Sequence, residues 1–281
     1  MFRSISAVAL LLASICAPSF SEAATEMDAI VQIARGSKCI SHEWPYRRGT
    51  APSSYIEGMA LVFARAACHP DRTDVRIVSG PESGQLAADA LTVYRQEFSK
   101  LGMANDTAGV ATLRHTYVLL IGLGMMESSG KFCEGRDISQ CFAEANSAES
   151  GLFQTSYGVG RSNPVLMSLF ADYSAGKSDC LLSSFQGHLT CRIHKSQNAK
   201  CPNETSDVTG TGPGADWQRL TKICPAFAAE YAAVVLRQHG GSSGEFNPIR
   251  KRQAEVFPAC DGMLKSVQDY VQAHPDVCVG L

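Results

Sequence analysis

The chain has 281 residues and a formal net charge of −2, from 25 basic and 27 acidic side chains, with 45% hydrophobic residues. That balance gives no basic field for nucleic acid and no long-range attraction to an anionic cell wall, so any polymer must be captured in a local groove. The length allows a full buried core, in one large domain or two small ones, and no internal repeat or second membrane segment is visible.

The N-terminus reads as an export signal. Arg3 supplies the positive start, residues 5–17 an apolar run, and Ser21-Glu22-Ala23 small residues at the cleavage positions. The run is too short for a lasting anchor, and the bulky Ile15 before Cys16 argues against lipidation. We therefore expect a signal peptide at 1–23, a single domain at 24–281, no stable membrane span after cleavage, and a periplasmic or secreted location. Of eleven cysteines, Cys16 leaves with the signal. The remaining ten, Cys39, Cys68, Cys133, Cys141, Cys180, Cys191, Cys201, Cys224, Cys260 and Cys278, read as up to five disulfides of undetermined connectivity.

Residues 27–34 have the pattern of a short helix, and 39–54 form a loop rich in Pro, Gly and Arg. An amphipathic helix follows at 55–68, with Ile56, Met59, Ala60 and Phe63 on one face, stopped by His69-Pro70-Asp71. The brief apolar run at 75–78 suggests a short strand. Helical spacing returns at 84–101 through Ala87, Leu91, Tyr94 and Phe98. Asn105-Asp106-Thr107 then offers capping residues for a long helix.

Residues 117–126 carry no charge at all. Ten apolar residues cannot span a bilayer, so this is read as a helix buried on all sides. Glu127 follows, then Ser128-Ser129-Gly130, a polar loop at 131–146, and Glu149-Ser150-Gly151-Leu152-Phe153-Gln154-Thr155-Ser156. A carboxylate where a buried helix runs out sits partly in low dielectric, which disfavours its charged form and suits a general acid. The ordinary reading of Glu127 is a capping or salt-bridged helix-end residue.

This stretch resembles the lysozyme-like glycosidases, specifically the soluble lytic transglycosylases and goose-type lysozymes. In those families a helix ends in Glu-Ser, and a Gly-Leu-Met-Gln turn follows after a loop. Phe153 here takes the usual Met position, and Glu149 stands two residues before the glycine. The match covers residues 117–157. It implies a lysozyme-like domain with a motif core at 113–175, and glycan strands of peptidoglycan, or a related aminosugar polymer, as substrate. A Cys133–Cys141 bridge would staple the loop between the two halves of the motif.

Downstream, 164–174 begins with Pro at a first-turn position. Residues 177–214 are the least regular segment and read as a disulfide-pinned surface excursion. A long helix then carries Trp217, Leu220, Cys224, Phe227, Tyr231 and Val234 on one face, kinked or split at Pro225. Residues 240–248 read as a flexible loop. The last helix, 259–273, turns Met263, Val267 and Val271 inward. The fold class expected is all-α, disulfide-stabilised, built around the buried central helix, with any sheet confined to a small hairpin near the site.

Cleaving a β-1,4 glycosidic bond requires protonating a poor leaving-group oxygen and stabilising an oxocarbenium-like centre. The resemblance gives the acid role to Glu127. In the transglycosylases the same residue then draws the sugar's own hydroxyl into an anhydro ring; in the lysozymes water is the acceptor. A second carboxylate would come from Asp137 or Glu149, while Glu134 reads as a solvated loop residue. Ser128, Gly151, Gln154 and Tyr157 are candidates for sugar contact: the glycine for close backbone approach, Gln154 as donor and acceptor, Tyr157 for stacking. Each has a plainer structural reading as cap, turn or packing residue.

His188, Cys191, His194 and Cys201 include a Cys-x2-His spacing, but exported cysteines pair more readily than they bind zinc. No metal and no cofactor is expected. Two other classes compete: a non-catalytic wall- or sugar-binding protein on the same scaffold, and a secreted structural protein whose motif is coincidence.

Overall fold

The computed structural model describes residues 20–134, 144–190 and 208–281, with side chains from residue 26 onward. The chain opens with α1 (Phe20–Arg35), the antiparallel strands β1 (Glu43–Trp44) and β2 (Gly49–Thr50), and α2 (Ser53–Cys68). Three short helices follow, α3 (Thr73–Val78), α4 (Ala90–Val93) and α5 (Arg95–Lys100), and then the long α6 (Val110–Ser128). Beyond it lie α7 (Tyr157–Gly160), α8 (Pro164–Ser174), α9 (Leu182–Gln186), α10 (Pro213–Ile223) and α11 (Pro225–Gln238). The chain closes with α12 (Asn247–Arg250), α13 (Pro258–Ala273) and a 3-10 turn, Pro275–Val279. The described residues are all-α apart from one small hairpin.

Helix α6 is the axis of the core. Every residue from 117 to 126 is buried, and α2, α3, α11, α12 and α13 pack around it. Two glycines in this apolar helix are docking points. A Cβ on Gly122 would stand 2.2 Å from the Glu255 carbonyl oxygen, and one on Gly124 would stand 2.3 Å from the Tyr55 hydroxyl and 3.0 Å from the Phe153 ring. Glycine costs about 1 kcal/mol against alanine in a helix interior, a cost offset here by close packing of three segments. Tyr55 uses that approach to donate a hydrogen bond of 2.8 Å to the Ile121 carbonyl.

Several local expectations hold. Pro164 opens α8, and the Asn163 side chain caps it by accepting from the Val165 and Leu166 amides. Pro225 splits the long downstream helix into α10 and α11 at Cys224. Met263, Val267 and Val271 of α13 all face the core.

Others are corrected. Residues 75–78 are not a strand but belong to α3, because Val75 and Val78, three apart, bury together. Residues 84–101 form two short helices separated at Tyr94, whose buried hydroxyl accepts the Ala254 amide. Helix α6 starts after Gly109, so the 105–107 triplet does not cap it; Asn105 instead bonds the His115 ring at 2.7 Å. Helix α2 is not amphipathic but surrounded, by α1, α6, α11 and α13. Its polar residues are paired: Glu57 with Arg35, and Arg65 with Glu230. A sequence pattern cannot see those partners.

Three disulfides have both ends among the described residues: Cys39–Cys260, Cys68–Cys278 and Cys180–Cys224. The first two close long loops between the beginning of the chain and its last elements, where cross-links gain most from chain entropy. Cys133 is also disulfide-bonded, but Cys141, its expected partner, lies outside the described residues, as do Cys191 and Cys201. The 177–214 excursion is pinned through Cys180 and contains α9; its stretch 191–207 lies outside the described residues. Among the described residues no helix is long and apolar enough to cross a membrane.

Candidate functional site

Helix α6 ends abruptly. Ser129 takes a left-handed conformation, φ 55°, and the Gly130 amide reaches back to the Gly124 carbonyl. Glu127 stands half-buried in the last turn, directly after the enclosed run at 115–126. Ser128 is turned inward, its hydroxyl donating to the Gly124 carbonyl at 3.1 Å, the usual back-bond of a helical serine. Gly130 lies where a Cβ would meet the Tyr55 ring at 2.8 Å and Pro52 at 3.0 Å. Pro52, two residues after β2, is thus packed with Tyr55 on the end of α6.

The second half of the motif is a tight turn. The Ser150 amide donates to the Thr155 carbonyl at 3.0 Å, closing a loop that holds Gly151 at φ 78° and Gln154 at φ 45°. The left-handed angle at Gly151 favours glycine on its own. A Cβ there would also stand 2.8 Å from Thr221 of α10. The Gly151 amide donates to the Glu134 carbonyl at 3.1 Å. Glycine is therefore required by the turn and by its contact with α10. Gln154 folds its side chain back, Nε2 donating to the Gly151 carbonyl at 2.9 Å. Leu152 and Phe153 point into the core, and Phe153 meets α6 at Gly124, one turn before Glu127. The two halves of the motif are thus packed on each other.

Tyr157 begins α7, half-buried, with its ring edge-on to Phe170 at 5.8 Å. Glu149 is half-buried between the enclosed Ala148 and Ser150. Asp137 lies outside the described residues. Of the four residues with zinc-like spacing, only His188 is described, and no cluster of metal-ligating side chains occurs among the described residues.

Three neighbours of the turn were not among the candidate site residues, Tyr231 having been read only as part of its helix's apolar face. Thr221 supports it from α10, bonding the Ser150 hydroxyl at 3.1 Å. Tyr231 of α11 donates to the Ser156 carbonyl at 3.1 Å. Glu245 accepts from the Ser156 hydroxyl at 3.0 Å. Burial pushes the Glu245 carboxyl above its ordinary value, against the lowering effect of the Ser156 hydrogen bonds and the nearby Arg250. Its loop is not free. Gly240 and Ser242 donate their amides to Ala88 and Leu86, and the Glu245 amide donates to His239. The lone acidic residue in a Gly- and Ser-rich loop was the one available signal.

Compared with protein-family models, with curated proteins and with solved structures, the chain matches none.

Proposed function

We propose that this protein is an exported glycosidase of the lysozyme and lytic transglycosylase type. It cuts the β-1,4 bond between N-acetylmuramic acid and N-acetylglucosamine in peptidoglycan, with Glu127 as general acid. The observation that carries the reading is the packing of Phe153 on Gly124. It joins the turn at 151–154 to the helix whose last turn bears Glu127, so two sequence elements separated by a polar loop form one structural unit. A carboxylic acid at that helix end meets the first need of glycoside cleavage, a proton for the leaving oxygen. The intramolecular disulfides suit an oxidising compartment outside the cytoplasm.

The test is clearing of a peptidoglycan suspension by the parent and by Glu127→Gln. The substitution keeps shape and most hydrogen bonding but removes the transferable proton. General acid–base catalysis contributes about 10²–10⁴-fold, so cleavage should drop by at least that range's lower end while folding and wall binding persist. Glu134→Gln serves as the control and should retain most activity. Near-parental cleavage by Glu127→Gln would remove the assignment. A parent that binds insoluble wall without clearing it would instead be a wall-binding module. Mass spectrometry of released muropeptides separates the two chemistries, since an anhydro product is lighter by one water.

A further inference from the structure

The turn at 151–154 is fixed at its entrance by Ser150, through the Thr155 carbonyl and the Thr221 hydroxyl. Its exit is Ser156, and there the hydroxyl donates to the carboxylate of Glu245. The carboxylate arrives from the loop after α11, far along the chain from the motif. Tyr231 holds the same residue through its carbonyl. Ser156 is thus gripped on both its hydroxyl and its carbonyl. The groups facing the Glu245 carboxyl are Ser156, the Tyr231 hydroxyl from α11 and Arg250 from α12. Arg250 directs its guanidinium to the Gly244 and Glu245 carbonyls, so it braces the loop backbone.

Leaving a carboxylate half-buried with a serine as its main partner is costly, and a neutral acceptor would hold a serine hydroxyl with less desolvation. What the charge adds is strength: a hydrogen bond to an ionised acceptor is about twice as strong as a neutral one. We propose that Glu245 is the positioning residue of the 151–154 turn, its carboxylate fixing the exit of that turn through Ser156. This rests on the reading above in one respect, that the turn meets a glycan chain. On that reading the hold acts on substrate binding more than on the chemical step, because Glu245 reaches the site through Ser156.

The experiment compares the parent with Glu245→Ala, Ser156→Ala, the double variant and Glu245→Gln. Amide hydrogen exchange at residues 150–157 is the deciding measurement. Both alanine variants should exchange there about 10–100-fold faster, the effect of losing one hydrogen bond to a charged group, with the α6 amides unchanged. The double variant should be no faster than either single one, and Glu245→Gln, which keeps an acceptor oxygen, should recover much of the protection. Carbon NMR of the Glu245 carboxyl supplies a second signature: Ser156→Ala should move its titration further up, since the lost bond favoured the ionised form. Unchanged exchange in Glu245→Ala, or an equal rise along α6, would overturn the proposal. Kinetics on soluble glycan strands then address the reading beneath it. A raised KM with kcat nearly kept is the expected result. If exchange responds as described but KM does not, the hold on the turn stands and the glycan is removed from it, independently of the Glu127 test.

Discussion

Two carboxylates near helix α11 illustrate opposite uses of burial. Glu230 is 2% exposed and receives Arg65 at 3.0 Å, Arg72 at 2.6 Å and the Tyr173 hydroxyl at 2.9 Å. Burial opposes its ionisation, but the two guanidinium groups outweigh that and hold its carboxyl below the ordinary range. Glu245 is more exposed yet has a serine where Glu230 has two arginines, so its carboxyl is pushed up instead. The lesson is that partners, more than depth, decide whether a buried acid is structural or poised. Glu230 joins α2, α8 and α11 into one block. Glu245 is held in a less favourable state beside the turn at which the candidate site is built.

The sharpest way to break this comparison is to remove the compensated charge. Glu230→Gln leaves Arg65 and Arg72 facing a neutral group and should cost about 3–5 kcal/mol. At roughly 2–4 °C per kcal/mol, thermal denaturation should show a clear fall in Tm. Because the folded-state pKa is depressed, this stabilisation is present above the unfolded carboxylate value and is lost as pH falls through the folded one. The deficit of the variant should therefore shrink in acid. A deficit constant with pH would mean that packing, not charge, is what Glu230 supplies.

Next in size is the joint between helix and turn. Gly124→Ala forces a Cβ against Tyr55 and Phe153 and should destabilise by about 1–3 kcal/mol, the usual cost of overpacking. If the proposed function holds, cleavage should fall more than stability does, because the crowding lies one turn below Glu127. Activity lost only in proportion to the unfolded fraction would separate the joint from the site.

Glu245→Gln should change stability less and in the opposite direction. A raised folded-state pKa means that the folded protein binds the proton more tightly, so parental stability falls as pH rises from the ordinary carboxylate value through the raised one. Gln cannot ionise. The variant should thus melt at or above the parental temperature at neutral pH, with the difference vanishing in acid, as calorimetry across pH would record. A lower Tm at every pH would place Glu245 with Glu230 as a structural acid. The smallest effect belongs to the exposed Asp216–Arg219 pair of α10. Asp216→Asn should shift stability by less than about 1 kcal/mol in denaturant titrations.

Periodicity and punctuation determined much of this molecule by themselves. An uncharged run at 117–126, too short to cross a bilayer, is stable where other elements cover it, and α6 lies there, at the centre. Pro164 after Asn163, Pro225 after Cys224, and the spacing of Met263, Val267 and Val271 each marked a local event governed by nearest neighbours, and each was legible. The resemblance at 117–157 lies in one contiguous stretch of residues. What only the tertiary structure decided was the partner of every charged group in the core. Glu57, Arg65 and Glu230 look like surface residues in sequence, because burial of a charge depends on an opposite charge that the fold brings from far along the chain. The same reason hid Glu245 and Thr221. They reach the turn through hydrogen bonds spanning 89 and 71 residues, and a one-dimensional pattern holds no record of a contact made by closure of the chain upon itself.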